Sequence, residues 1–493
     1  MGFYFFPRGG SAQVARALCR ALAVGRWAPT LFAGSLGTAA DESNARRFFR
    51  EIRCRALDYS PARARWIAGR DPMAGPVPMH ASYEAKPDVP DRVFVDLDDR
   101  DYQRQVESWV HLLNQHTAAA PEVVHLHHLT PMHEAVRIVW PQVPVITHLH
   151  GTELKMLAAV RDGSLHGSFS GAWEARMRRW ARESQHLVVV SEQDHELAVD
   201  LLQVHPSQMT TIGNGVDTDA FAPHALPHGQ RLAHWRRWLV DAPKGWRPGG
   251  GEGSIRYAAG DLAAFTADDG SPVPVVLFAG RFMAFKRLQL LIEAHDELCR
   301  TGVRSVLVIV GGFPGEWEGE HPYETVRRLG AQGVFFAGWR DHGEFGEILG
   351  CVDVFAAPSV DEPFGLVYLE AMAAGVPVIA TATGGPLSFV NAQPDRPTGW
   401  LVPPDDVAAL CSALADAVSQ PAARALRGAN AARFVRERYS WARLAASFAD
   451  LYATVVDAGA SAGPADQRRG VRQDGAVAVV GQQVQHQVAV ADL

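Results

Sequence analysis

Residues 361–385 read DEPFGLVYLEAMAAGVPVIATATGG. Pro363 and Gly365 interrupt the chain, so a helix can begin there with its first backbone N–H groups unpaired and facing an anion such as a diphosphate. Glu370 falls in the early turns of that helix, where its two oxygens can accept from a vicinal diol such as a ribose. Glu362 sits on the loop before the helix and points past the phosphates. Gly375, Val376 and Pro377 then cap and turn the chain into a buried strand at Val378 to Ala380. Without such a ligand, the two carboxylates would simply cap and solubilise a helix N-terminus, which the helix dipole favours.

Outward from this unit, short apolar runs alternate with helical segments. They are Val123 to Leu126, Val145 to Thr147 and Leu187 to Val190, then Val275 to Phe278, Val306 to Val310, Val334 to Phe336, Val354 to Ala356 and Val378 to Ala380. Such alternation predicts an α/β chain with two doubly wound, Rossmann-like domains. A Gly- and Pro-rich stretch between Phe221 and Pro274, carrying RLAHWRRWLV and a short helix around Asp261 to Phe265, interrupts the pattern. The predicted divisions are therefore residues 1–222, an interdomain connection with an insertion at 223–273, and a second domain at 274–428. Open parallel sheets bind ligands beyond the carboxyl ends of their strands, which predicts a cleft between the two domains. Residues 458–493 carry no packing pattern and read as a flexible tail.

With 47% hydrophobic and 20% charged residues, the 493-residue chain has the composition of a soluble globular protein. Its net charge of −7 gives no general attraction to nucleic acid, so no nucleic-acid partner is expected. The five cysteines are scattered and form no C-x-x-C pair, which argues against a disulfide framework or a cysteine zinc site and fits a reducing cytoplasm. The opening MGFYFFPRGG is short in apolar residues, and no run of about 18 apolar residues follows, so neither secretion nor membrane spanning is expected.

In VVLFAGRFMAFKRLQLLIEAH, residues 275–295, Arg281 and Lys286 stand just beyond a strand end, placed to meet a diphosphate. Cations at a positive helix end are unfavourable unless an anion meets them. Near the start, Pro7-Arg8-Gly9-Gly10-Ser11 leads into a helix; the glycines form either an ordinary tight turn or a loop that lets an anion approach. Histidines cluster at 125, 127 and 128 and at 148 and 150, where positions two apart share a strand face. Neither cluster has a Cys, an Asp or a third His at ligand spacing, so no metal is expected. His125, His127 and His128 are read as lining the cleft or finishing a core strand. The string Asp96-Leu97-Asp98 is expected at the surface, away from any phosphate.

The pattern PS-x-x-EPFG-x-x-x-x-EAMA-x-G-x-PV-x-A-T, residues 358–381, resembles glycosyltransferase family 4. The resemblance implies a GT-B fold whose last helix, 429–457, crosses back to the N-terminal domain. It further implies a retaining, metal-independent transfer of a hexosyl group from a nucleotide-diphosphate sugar to a hydroxyl acceptor, with no cofactor. The acceptor class stays open among a sugar, a polyol, a glycan and a lipid-linked molecule. By the same resemblance Glu362 contacts the donor sugar, Glu370 holds the ribose, and the amides of Gly365 and Leu366 hold phosphate. Arg281 and Lys286 stabilise the departing diphosphate, Gly10 belongs to the acceptor-side glycine loop, and His150 faces the donor sugar. One departure is Ser388, where the family carries a Glu after its Gly-Gly pair. The alternatives are a glucan elongator resembling glycogen or starch synthase, a sugar-nucleotide epimerase of the same fold, and a non-catalytic nucleotide-sugar-binding protein. Against the elongator, its Lys-x-Gly-Gly loop is replaced by one with Pro7 at the lysine position. Arg176, Arg178, Arg179 and Arg182 lie on one predicted helix, which reads either as a solvated face or as a peripheral contact with anionic lipid.

Overall fold

The computed structural model describes residues 1–84, 89–116 and 119–461; the predicted tail beyond 461 lies outside the described residues. The N-terminal sheet comprises β1 (Gly2–Phe3), β2 (Leu31–Ser35), β3 (Cys54–Asp58), β4 (Val124–His127), β5 (Val145–His148), β6 (His186–Val189) and β7 (Met209–Thr211). The C-terminal sheet comprises β8 (Val275–Ala279), β9 (Val306–Val310), β10 (Val334–Gly338), β11 (Val354–Ala357), β12 (Val378–Thr381) and β13 (Gly399–Val402). Their orders are β3-β2-β1-β4-β5-β6-β7 and β10-β9-β8-β11-β12-β13. Neighbouring strands run parallel throughout both sheets.

Both sheets reverse their winding beside their first strand, β1 next to β4 and β8 next to β11. At such a switch point the loops after adjacent strands diverge and leave a crevice. The loop after β1 carries Arg8 and leads into a helix that begins at Gly9, and the loop after β8 carries Arg281 and Lys286. The glycine pair does not form a loop ahead of the helix as expected: Gly9–Ala23 is helical, so Gly9 and Gly10 open the helix itself.

The expected α/β class holds, and five strands, β1, β2, β3, β7 and β13, lie outside the apolar runs read from the sequence. β1 is two residues long, too short for any periodicity. β2, β3 and β13 contain Gly, Ser, Arg, Asp or Trp in place of a branched apolar run. The helix that crosses back to the N-terminal domain is Trp441–Ser461 and does not start at 429 as expected: residues up to Arg438 belong to a separate helix, Pro421–Arg438, whose Ala431 and Val435 pack in the C-terminal core. Leu444, Phe448, Tyr452 and Val455 of the crossing helix pack with Leu18, Leu22, Ile146 and Val188. The strand segments Val216 and Ser440 are joined at this crossing by Val216 N–H donating to Tyr439 O at 2.8 Å. Among the described residues, no helix is long and apolar enough to cross a membrane.

Residues between the sheets pack on the C-terminal one. Trp235, Trp238 and Trp246, from a helix over His228–Arg236 and the chain after it, share one core with the residues of β8 to β12. The buried Arg340 guanidinium donates to Trp238 O at 2.8 Å, Ala242 O at 2.9 Å and Ala337 O at 3.0 Å. Trp235→Ala is expected to cost about 3–5 kcal/mol in urea denaturation, the price of a core cavity. A loss within about 0.5 kcal/mol, typical of surface positions, would mean that this segment is a loose connection.

Candidate active site

The turn Glu362-Pro363-Phe364 is held from several sides by glycine backbones. Gly365, at φ +90°, caps the helix Leu366–Ala373, and a Cβ there would lie 2.7 Å from the Tyr368 ring. Gly384, at φ +66°, lies so close that a Cβ would be 2.6 Å from Glu362 O, and Gly385 N–H donates to that same oxygen at 2.8 Å. Gly151 approaches from the N-terminal domain at φ +84°, where a Cβ would stand 2.7 Å from Pro363 Cβ. The His150-Gly151 turn and the Glu362-Pro363 turn, distant in sequence, are therefore in contact. Gly10 joins them from the first turn of its helix, where an added Cβ would lie 3.4 Å from Leu366 Cδ1.

Glu362 is buried and paired with Lys286 Nζ. Lys286 also lies over the Phe285 ring, 5.0 Å from its centroid. Lys155, on the helix Thr152–Asp162, reaches the same ring at 4.6 Å. Burial lowers the Lys155 pKa and Lys286 adds to that, while Glu362, Asp361 and Glu84 oppose it. Arg281 is exposed. Among the described residues it has no carboxylate partner. Lys286 and Lys155 thus meet at the Phe285 ring beside Glu362, with Arg281 on the loop that carries Lys286.

Glu370 lies on the same helix and is nearly buried, its side chain 14% exposed, with His342 Nε2 3.6 Å away. Burial pushes its carboxyl up to about 8. His342 itself is held below its usual pKa by burial and by Arg16, which reaches over from the first helix.

On the N-terminal side, His150 Nε2 is 3.0 Å from His127 Nδ1, and its backbone N–H donates to Glu153 Oε1 at 3.0 Å. Burial, followed by the neighbouring His148, His128, His127 and His125, lowers the His150 pKa far below the usual range, so its ring is neutral near pH 7. Burial opposes the charge of Glu153, but His128 and the hydrogen bonds it accepts outweigh that and hold its carboxyl below the usual range. Asp194, at the start of the helix Glu192–Leu202 capped by Ser191, is pushed up to about 7 by burial and then by Glu153.

The structure brings His150, Glu362, Lys286, Gly365, Leu366 and Gly10 into one contiguous region through these contacts, with Arg281 on the loop that carries Lys286 and Glu370 one helical turn beyond Leu366. Sequence reasoning missed Lys155, Phe285, His342 and Asp194. The glycines after β9 serve packing: a Cβ at Gly311 would lie 2.2 Å from Gly280 O, and one at Gly312 2.6 Å from the Phe282 ring. After β10, Arg340 turns inward to carbonyls and Trp339 stays on the surface beside Phe313, ring centroids 5.5 Å apart. Ser388 is exposed and contributes its carbonyl to Tyr439 OH at 3.0 Å. Three of the four arginines of the helix Ser170–Glu183 are engaged with carboxylates, Arg176 with Asp99, Arg178 with Glu174 and Arg179 with Glu134.

Two family patterns match the chain, "Glycosyltransferase Family 4" over residues 8–220 and "Glycosyl transferases group 1" over residues 268–434. The chain belongs to glycosyltransferase family 4 and is a nucleotide-sugar-dependent glycosyltransferase of GT-B architecture. It is 27% identical over 337 residues to a glycogen synthase of Mycobacterium tuberculosis, spanning 67% of this chain and 68% of that one. It is 30% identical over 282 residues to a D-inositol 3-phosphate glycosyltransferase of Stackebrandtia nassauensis, spanning 56% and 55%. Among solved structures it resembles the sucrose-phosphate synthase of Thermosynechococcus elongatus, with a TM-score of 0.61 and 19% identity over 93% of this chain and all of that one. It also resembles Anabaena HepE in complex with UDP-glucose, with a TM-score of 0.59 and 16% identity over 92% of this chain and 100% of that one. At these identities the solved structures speak for the fold.

Two outcomes follow from the geometry. Gly151→Ala must both adopt a left-handed backbone and displace Pro363, so it is expected to cost on the order of 1–3 kcal/mol in denaturant unfolding and to lower transfer activity with it; unchanged stability and activity would show that the two turns do not meet. Glu370 keeps its proton up to about pH 8 when folded but only to about 4.5 when unfolded. Between those values the folded state holds more protons, so the carboxyl makes folding less favourable as pH rises. Nucleotide-free Glu370→Gln should therefore gain on the parent by on the order of 1 kcal/mol or more from about pH 5 to about pH 8. An offset independent of pH would contradict this.

Proposed function

We propose that the enzyme is a retaining, metal-independent hexosyltransferase whose donor lies on the C-terminal domain. The diphosphate meets Arg281, Lys286 and the first amides of the helix at Gly365 and Leu366. Glu370 accepts from the ribose, and the sugar lies between Glu362 and His150. The acceptor enters from the N-terminal side, past Gly10. The observation that carries this reading is the Lys286–Glu362 pair beside a helix N-terminus, with Gly151 bringing His150 against it. As the sugar bond breaks, charge grows on the departing diphosphate, and Arg281 and Lys286 stabilise it without a divalent ion. His150, neutral and held by His127 and Glu153, hydrogen-bonds a sugar hydroxyl or orients the acceptor. The protein acts in the cytoplasm, free or in peripheral contact with a membrane.

HepE, of the same fold, has been solved with UDP-glucose, which puts UDP-glucose first among the donors to test. A second reading, glucan elongation, is favoured by the similarity to a glycogen synthase and opposed by Pro7 in the N-terminal loop. A panel of UDP-, GDP- and ADP-sugars, scored for thermal stabilisation and donor hydrolysis in EDTA, separates these possibilities. One nucleotide sugar should stabilise the enzyme and be hydrolysed with the anomeric configuration kept; no stabilisation by any of them would remove the donor site. Glu370→Ala should mainly weaken nucleotide binding, and Lys286→Ala should lower kcat on the order of 100-fold with a smaller change in binding. Equal, small effects from both would favour a non-catalytic binding protein.

A further inference from the structure

The two histidine clusters are separate in sequence and adjacent in space. β4 pairs with β5 so that His127 stands opposite His148, and His125 shares the face of His127 two residues earlier. The third histidine that neither cluster supplies alone comes from the neighbouring strand. The ring centroids of His125, His127 and His148 are separated by 4.7, 5.4 and 5.4 Å. Imidazoles bound tetrahedrally to zinc hold their ring centroids about 5.2 Å apart, given a Zn–N bond near 2.05 Å. One ring nitrogen from each residue lies within 4.8 Å of the other two, against roughly 3.3 Å between nitrogens of a tetrahedral shell, so the three rings draw together on binding.

All three side chains are buried, 2%, 0% and 1% exposed. His125 Nε2, His127 Nε2 and both nitrogens of His148 lack any hydrogen-bond partner. A buried polar atom left unpaired is costly, and a cation taking one lone pair from each ring removes that cost at three of these four nitrogens. The opposite nitrogens are already fixed, His125 Nδ1 by Tyr452 OH at 2.5 Å and His127 Nδ1 by His150 Nε2 at 3.0 Å. Outer hydrogen bonds of this kind orient metal-bound histidines. Burial lowers the pKa of each of the three rings, which leaves them neutral with a lone pair available. Phe448, from the crossing helix, covers the group at 5.5 Å from His125 and 5.4 Å from His148.

We propose that His125 Nε2, His127 Nε2 and one ring nitrogen of His148 bind a single divalent cation of the zinc class. An all-imidazole donor set selects zinc, cobalt, nickel or copper over magnesium and calcium. Such an ion ties β4 and β5 to the crossing helix through Tyr452 and holds His127, the partner of His150. The transfer chemistry proposed above does not pass through it.

Full-length protein, stripped with EDTA and titrated with Co²⁺, tests this directly. The visible bands of tetrahedral cobalt should rise to one equivalent per chain and collapse on adding Zn²⁺. Thermal stability should fall on stripping and return with zinc. His148→Gln should abolish the cobalt bands, and Tyr452→Phe, which keeps the ring but loses the hydroxyl, should weaken cobalt binding about 10–100-fold. Absent bands together with a melting temperature indifferent to chelator would overturn the proposal, as would cobalt binding that neither variant alters. Should His148→Gln fail to fold, the wild-type titration and Tyr452→Phe decide the matter by the same criteria.

Discussion

Gly151 and Pro363 stand so close that no side chain fits between them, a Cβ on the glycine lying 2.7 Å from Pro363 Cβ. This contact joins a loop after β5 to a loop after β11, one from each sheet. Gly213 repeats it, with a Cβ there falling 2.9 Å from the Phe364 ring. Gly384 and Gly385 press on the same turn from the C-terminal domain, at 2.6 Å from Glu362 O and 2.4 Å from Phe364 Cα. The Glu362-Pro363-Phe364 turn is thus clamped by backbone on several sides, and the position of Glu362 is set by close packing rather than by side-chain choice. Everything assigned to the donor sugar follows from that clamp.

The electrostatics complete the arrangement. Burial costs charged groups dearly unless partners face them. Lys286 has Glu362, but Lys155 is stacked on Phe285 with burial lowering its pKa, and Arg281 is exposed with no acid partner among the described residues. Glu370 retains its proton near neutral pH. Two lysines and an arginine beside a helix N-terminus, with Glu370 on the same helix, are the groups that the proposed reading assigns to a diphosphate and a ribose. The family relationship gives the ligand its class, a nucleotide sugar.

Much of this was legible in the sequence because the C-terminal motif is local. Glu362, Gly365 and Glu370 lie on one turn and one helix, so spacing alone places them. Arg281 and Lys286 were readable for the same reason, as a strand end followed by a helix start. Contacts across the cleft were not, because nothing in residues 148–153 records that Gly151 meets Pro363. Lys155 looked like any helical lysine until its burial against Phe285 was seen. The histidines show the same limit: His125 with His127 can be paired by strand periodicity, but His148 joins them only through the β4–β5 register. The short β1 and the polar β3 lacked a pattern of their own and owe their structure to the strands beside them.

The central claim is that the diphosphate of the donor is received by Arg281, Lys286 and the helix start at Gly365, with the ribose on Glu370. A crystal structure of the enzyme with UDP tests it most directly. The account predicts phosphate oxygens within hydrogen-bonding distance of the Arg281 and Lys286 side chains and of the Gly365 or Leu366 amide, with both ribose hydroxyls on the Glu370 carboxyl. UDP seated instead on the Gly311-Gly312 loop, or bound with Glu370 turned away from the ribose, would contradict it.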